Sequence, residues 1–305
     1  MPYDIAVNIT DGQYLGEYHQ KSKHPCDIHS VINRAVEKNI QMVFLGTSVN
    51  SSIESVALGN EYGQYAAIGI HPGSAGGTTE EDVQKITDIL EDQNIEKSRS
   101  RIRGEILKIV GDKALESIKS VIAIGEIGLD YYREYSPKEK QREVFSSILK
   151  KTAKYKIPYI FHYRDCEDDF FEIVREYEVE GVVHSFTGTI EEMHRLVGKG
   201  YYIGINGASI RENETTGVIE KIPDDRLLIE TDAPWCTIRK TSKYSELVGN
   251  YLKTSKRWKE GEGVKGRNEP VNLLEVIDVV AGIRNISKEE LVEKTDSNFK
   301  KLFKL

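Results

Sequence analysis

Cysteine is scarce in this sequence: Cys26, Cys166 and Cys236 are the only three in 305 residues, and no C-x-x-C spacing links them. An odd, scattered set excludes a disulfide framework, argues against a structural zinc site and predicts a reducing, intracellular compartment, cytoplasmic or nuclear. No stretch approaches the ~20 apolar residues that cross a bilayer, so no membrane association is expected. Met1-Pro2-Tyr3-Asp4 has neither the basic nor the apolar region of a signal peptide, which predicts no secretory leader. A net positive charge is also lacking, with 42 Lys and Arg against 49 Asp and Glu. The formal net charge is −7, so no global basic field draws the chain to nucleic acid, and a polyanionic partner would need local cations or a metal. Internal repeats and low-complexity segments are absent as well.

What the sequence does contain is a rhythm. Short apolar runs recur at Ile5–Ile9, Met42–Gly46, Ala66–Ile70, Val121–Glu126, Pro158–His162, Gly181–His184, Tyr201–Asn206 and Leu227–Asp232. They are continuously apolar rather than alternating, which suits parallel strands covered on both faces. Helical spacing fills the gaps between them. Ile28, Val31, Ile32, Ala35 and Val36 make one stripe; Ser136-Pro137 opens a helix carrying Phe145, Ile148 and Leu149; Thr189 caps another, with Glu192 at the capping-box position. Two closing helices begin near Val271 and Ser287.

Eight strand–helix units in a chain of this length predict a single-domain (β/α)8 barrel spanning 1–305. A doubly wound sheet is the rival, but no G-x-G-x-x-G follows the first strand, which removes its usual dinucleotide rationale. A basic insertion near 94–119 and a long basic connection near 233–269 interrupt the rhythm.

Four of the predicted strands end on potential metal ligands: Glu126, His162, His184 and Asp232. His71 follows the third strand in A-I-G-I-H-P. In a barrel all such ends open into one mouth, so residues far apart in sequence converge. Imidazoles and carboxylates suit zinc, manganese or magnesium, and carboxylates can bridge a metal pair. Taken singly, a histidine at a strand end is most often a satisfied core or surface residue, and an aspartate before Ala-Pro a turn former. Three of the seven histidines at strand ends is a coincidence that favours a metal site. His29 and His194 lie off the stripes of their helices, and His19 and His24 are assigned to a polar loop.

The strings D-I-A-V-N-I-T, G-I-H-P, I-G-E-I-G-L-D-Y, H-Y-R-D, H-S-F-T-G, G-I-N-G, E-T-D-A-P-W and R-N-E-P occur in this order. Together they resemble the signatures of the TatD family of metal-dependent deoxyribonucleases, which have a (β/α)8 fold. The likeness runs from Asp4 to Pro270 and into the closing helices. It implies a 3′–5′ exonuclease with two divalent cations per chain, magnesium first and manganese or zinc as alternatives. It further implies that Glu126 is shared by both metals, that His162 and His184 serve one and Asp232 the other, and that His71 faces the substrate phosphate. The chain departs from the family's common H-x-H on the first strand, where Ala6 and Asn8 stand, a form similar to a D-I-G-x-N branch in eukaryotes. One metal thereby loses two imidazoles and should rely on carboxylate, water and phosphate, as magnesium prefers. The 94–119 insertion is longer than the family leads one to expect.

On this reading Asp232 is both ligand and acceptor of the attacking water's proton, held rigid by a strand end and Pro234. Arg164 is assigned to a phosphate oxygen or, equally, to a structural pair with Asp165 or Asp130. Ser185 and Asn206 contact substrate or orient a ligand. Trp235 and Tyr131 are assigned to stacking on unpaired bases or to packing at the barrel rim, and Cys166 and Cys236 are bystanders. Glu126 and Asp232, as facing carboxylates, would repel, so neutral variants should lose no stability. Residues 233–270 hold nine Lys/Arg against four Glu together with Trp235, Tyr244, Tyr251 and Trp258. That mixture suits a groove for single-stranded DNA or a free 3′ end, though a solvated loop explains it too. A monomer is expected. The competing functions are a barrel hydrolase acting on an amide or ester, which Ala6 and Asn8 weigh against, and a non-catalytic interaction protein with a vestigial site.

Overall fold

A computed structural model describes residues 1–91, 95–111, 115 and 117–305, with the side chains of 95–97 also outside the description. The main strands are β1 (Tyr3–Val7), β2 (Gln41–Leu45), β3 (Tyr65–Ile68), β4 (Val121–Asp130), β5 (Tyr159–Arg164), β6 (Gly181–Val183), β7 (Tyr202–Ile205) and β8 (Leu227–Ile229). They form one eight-stranded sheet in sequence order. The principal helices are α1 (Ile28–Val36), α2 (Val49–Tyr62), α3 (Glu80–Leu90), α4 (Lys138–Thr152), α5 (Glu167–Val174), α6 (Ile190–Gly198), α7 (Gly207–Thr216), α8 (Leu273–Arg284) and α9 (Lys288–Phe303). No described helix is long and apolar enough to cross a membrane. The chain divides into two compact units, Met1–Val43 with Ser185–Lys301, and Phe44–His184 with Leu302–Leu305.

In the second unit β3, β4, β5 and β6 pair in parallel. The outer face of β5 carries Tyr159, Phe161 and Tyr163, whose rings pack on one another and on Phe145 of α4 and Phe170 of α5. Fully burying each ring contributes about 1.5–3 kcal/mol. Strand alternation then fixes His162 and Arg164 on the opposite face. The aromatic run in P-Y-I-F-H-Y-R is what aims the histidine.

Two expectations for this unit need correction. Glu126 does not end its strand: β4 continues to Asp130, because Gly128, Leu129 and Asp130 pair with His162, Tyr163 and Arg164. A register irregularity between Ile124 and Ile127 surrounds Glu126 instead, the kind of break that re-aims a side chain within a strand. Gly128 makes the continuation possible. Its φ is +142°, and an added Cβ would lie 2.0 Å from the His162 carbonyl oxygen, so only glycine fits. Ser136 does not cap α4 either. Pro137 occupies the cap position without a side-chain bond, while Ser136 Oγ donates to Gly73 O and accepts from Gly76 N.

The polar insertion is anchored to α2 at several described residues: Arg101 Nη1 donates to Asn50 Oδ1, Gly111 N to Glu61 Oε2, and Asn60 Nδ2 to Ser117 O. Arg103 spans its own backbone amide and guanidinium onto the buried carboxylate of Glu54 in α2. Residues 94, 112–114 and 116 of that insertion lie outside the described residues.

In the first unit β7 and β8 pair in parallel, and β1 lies against the chain leaving β8. Val7 bridges Ala233, Asn8 N donates to Ala233 O, and Asp232 N donates to Ala6 O. The regular strand ends at Ile229, three residues before Asp232, so the carboxylate sits on an irregular extension held by β1. Thr189 and Glu192 form the expected capping box on α6. Val36 leaves the stripe of α1 and is 41% exposed, because the helix ends on it.

His24 lies in the expected loop, ahead of α1, but is not solvated there. It is buried and stacks on Trp258 at 5.7 Å, and Trp258 Nε1 donates to Asp27. Arg267 bonds Asp27 and Glu269, and Arg34 also reaches Glu269. The R-N-E-P motif is thus the anchor of the long connection. Burying a charge without a partner costs several kcal/mol, and this chain of alternating charges avoids that.

Candidate metal centre

The candidate residues fall in both compact units. In the second unit Glu126 Oε1 lies 2.6 Å from His162 Nδ1, 2.7 Å from His184 Nε2 and 3.6 Å from His71 Nε2. Three imidazoles, His162 on β5 and His71 and His184 just beyond β3 and β6, therefore converge on one carboxylate oxygen. Burial pushes Glu126 up, but His184, His71 and His162 outweigh it and hold the carboxyl well below the usual range. Burial likewise opposes charge on His162, yet its bonds to Asp130 and Glu126 raise it. His162 Nε2 donates to Asp130 Oδ2 at 3.1 Å, which leaves Nδ1 as the nitrogen for a cation.

Asp130 was not singled out in the sequence, although it is the aspartate of I-G-E-I-G-L-D-Y. Its Oδ1 accepts from the amides of Tyr132 and Arg133, and Gln141 holds its backbone from both sides. Burial works against ionisation, but the bonds from His162 and the Arg133 amide pull the carboxyl down to about 2.

His71 is set apart from the other two histidines by its hydrogen bond. Its Nδ1 accepts from Gly73 N at 2.9 Å as the cap of Pro72–Gly77. Burial lowers its pKa to about 4, so the ring is neutral near pH 7. A neutral ring whose Nδ1 accepts must carry its proton on Nε2. His71 Nε2, Glu126 and His162 are close enough together for an ion, yet ligation through Nε2 would turn Nδ1–H head-on to Gly73 N–H. The capping bond makes His71 a donor.

In the first unit Asp232 stands at φ +52°, a left-handed conformation that aspartate tolerates better than most side chains. Asn8 Nδ2 donates to Oδ1 at 2.9 Å and Cys236 Sγ donates to Oδ2 at 3.2 Å. Asn8, at a position where H-x-H would place an imidazole, therefore addresses the carboxylate as a donor. Cys236 also does more than a bystander would. Asn268 of R-N-E-P reaches the carbonyls of Thr231 and Trp235, on either side of Asp232. Fully buried Asp4 accepts from Thr231 N and Oγ1, tying D-I-A-V-N to E-T-D. Burial raises the pKa of Asp4 well above the ordinary carboxylate range.

The remaining candidates divide. Asn206 is fully buried. It caps α7 and donates to Ser185 Oγ and Glu230 Oε1, and Glu230 accepts from Ser185 N. Its geometry is that of an orienting residue. Arg164 lies over the Tyr132 ring at 4.9 Å and 3.6 Å from Asp165. Trp235 is 53% exposed.

Parallel strands in sequence order, β1 lying against the chain beyond β8, and imidazoles converging on a carboxylate are the construction of barrel metal-dependent hydrolases. The family model for TatD related DNase matches residues 3–304. The chain belongs to that family. A relative from Schizosaccharomyces pombe, deoxyribonuclease Tat-D, is 37% identical over 97% of this chain and 93% of its own length. The 3′-5′ ssDNA/RNA exonuclease TatD of Yersinia pseudotuberculosis is 28% identical, with 99% of each chain covered. Among solved structures, an uncharacterized amidohydrolase from Saccharomyces cerevisiae superimposes with a TM-score of 0.82 at 26% identity, covering 99% of both chains. The (β/α)8 fold is that of the family.

Proposed function

We propose that this chain hydrolyses DNA phosphodiester bonds from a free 3′ end of a single strand, using a divalent cation at Glu126, His162 and His184. The observation that carries the reading is the meeting of His162 Nδ1 and His184 Nε2 on Glu126 Oε1 at 2.6 and 2.7 Å. Two nitrogens and a carboxylate aimed at one point are a donor set for zinc, manganese or magnesium. A bound cation lowers the pKa of a water and neutralises phosphate charge. Glu126 contributes negative charge, Asp130 fixes the His162 tautomer, and His71 offers its Nε2 proton to a phosphate oxygen. Asp232 accepts the proton of the attacking water and serves a second cation, preferentially magnesium. For Asp232 the support is the E-T-D-A-P-W motif and the donors that hold its carboxylate. Exposed Lys256, Arg257 and Lys259 lead the strand by charge.

The test is incubation with end-labelled linear and circular single-stranded DNA under magnesium, manganese or zinc. The linear strand should shrink from its 3′ end while the circle persists. Loss of the circle means internal cutting, and turnover of an amide or lactone without either DNA means the rival chemistry.

His71→Ala should lower turnover roughly a hundredfold, the range for loss of one positioned donor, with metal content by mass spectrometry unchanged. Metal lost in step with activity would make His71 a ligand.

A further inference from the structure

We propose that the turn Tyr131–Tyr135, together with Arg164, is a nucleobase-stacking subsite for single-stranded nucleic acid; the proposal rests on the phosphodiesterase reading above. The turn reads Y-Y-R-E-Y, and its rings are turned outward: Tyr132 is 67% and Tyr135 74% exposed. Exposed tyrosines on a mobile loop would mean little. This turn is fastened at both ends.

At its start Tyr131 N donates to Arg164 O, and the amides of Tyr132 and Arg133 share Asp130 Oδ1. The other oxygen of that carboxylate holds His162. One side chain therefore sets both the nitrogen facing Glu126 and the turn that presents Tyr132. Behind the turn Tyr131 Oη donates to Asp169. At its far end Ser136 is bonded to Gly73 and Gly76, in the loop that begins at His71. A methyl group at Gly73 would lie 2.9 Å from His71 Nδ1 and 3.4 Å from Tyr135 Cδ2, so ring and imidazole flank the same glycine.

The rings and the proposed phosphate donor are thus neighbours on one unit. The guanidinium of Arg164 covers one face of Tyr132 at 4.9 Å, and the high exposure of that ring leaves its remaining surface to a ligand. A flat π-system on the ring and a phosphate near the guanidinium are the two halves of a nucleotide. Stacking of this kind is sequence-tolerant because every base has a π-face. The turn is pre-ordered, so binding loses little loop entropy.

Tyr132→Ala, Tyr135→Ala and Tyr132→Phe distinguish the outcomes. Affinity is read by anisotropy of a labelled phosphorothioate-linked thymidine oligomer and of the same backbone with abasic sites throughout, so that cleavage does not enter. Each alanine variant should weaken binding of the base-bearing strand roughly tenfold, within the range for loss of one stacked base. Tyr132→Phe should stay within about twofold of parent. Parent and variants should bind the abasic strand alike, with melting temperature and metal content unchanged. Parent-like affinity in both alanine variants overturns the subsite, as does an equal loss on the abasic strand or a parent that binds no strand. A protein partner for these rings would give the first of those results. A parent that binds with the expected ring dependence but cleaves no DNA defeats the hydrolase reading and leaves the subsite standing.

Discussion

Glu126→Gln is expected to lower phosphodiester hydrolysis at least about a hundredfold and to abolish most of the rise in melting temperature that added magnesium or manganese gives the parent. The substitution keeps the shape and removes the negative charge that draws a cation between His162 and His184. A ligand that binds only the folded state stabilises it, so loss of the metal response should parallel loss of activity. Stability without added metal should also fall. Facing carboxylates suggest from the sequence that neutralisation is harmless. Yet Glu126 is a buried acceptor for two imidazoles, and the glutamine amide can replace only part of that, at a cost of about 1–3 kcal/mol. Urea denaturation measures the cost. Near-parental nuclease activity in the purified variant would remove Glu126 from the chemistry.

Asp232→Asn is expected to reduce hydrolysis by a similar factor, at least about a hundredfold, the lower range for a positioned proton-transfer group. Its effect on folding should be small. An asparagine can still accept from Asn8 Nδ2 through its oxygen and turn its amide toward Cys236 Sγ, and asparagine tolerates the left-handed backbone as aspartate does. Part of the metal-induced stabilisation should survive through Glu126, His162 and His184. A variant that keeps its activity would show that another base takes the proton. One that unfolds would make Asp232 a structural residue.

The sequence by itself determined the strand–helix rhythm, because continuous apolar runs and helical stripes are local patterns that hydrophobic burial enforces. Helix starts such as Thr189 with Glu192 were legible for the same reason: a capping box closes within four residues. Glu126, His162, His184, His71 and Asp232 were legible as candidate residue types in or just after apolar runs, and the ordered motifs supplied the family. Roles that depend on the partner across space were not legible. Nothing local says that β4 runs past Glu126, since that depends on pairing with β5. Nothing local says that Asp130 turns one oxygen to His162, whereas its bond to the Tyr132 amide and the bond of His71 Nδ1 to Gly73 N each close within two residues. Asn268 meets the segment around Asp232, and His24 meets Trp258, only because segments distant in sequence fold together. Hydrophobic pattern sets which way a strand faces. Hydrogen bonds between distant residues decide which atom of each side chain is left for chemistry, and those form only in the tertiary structure.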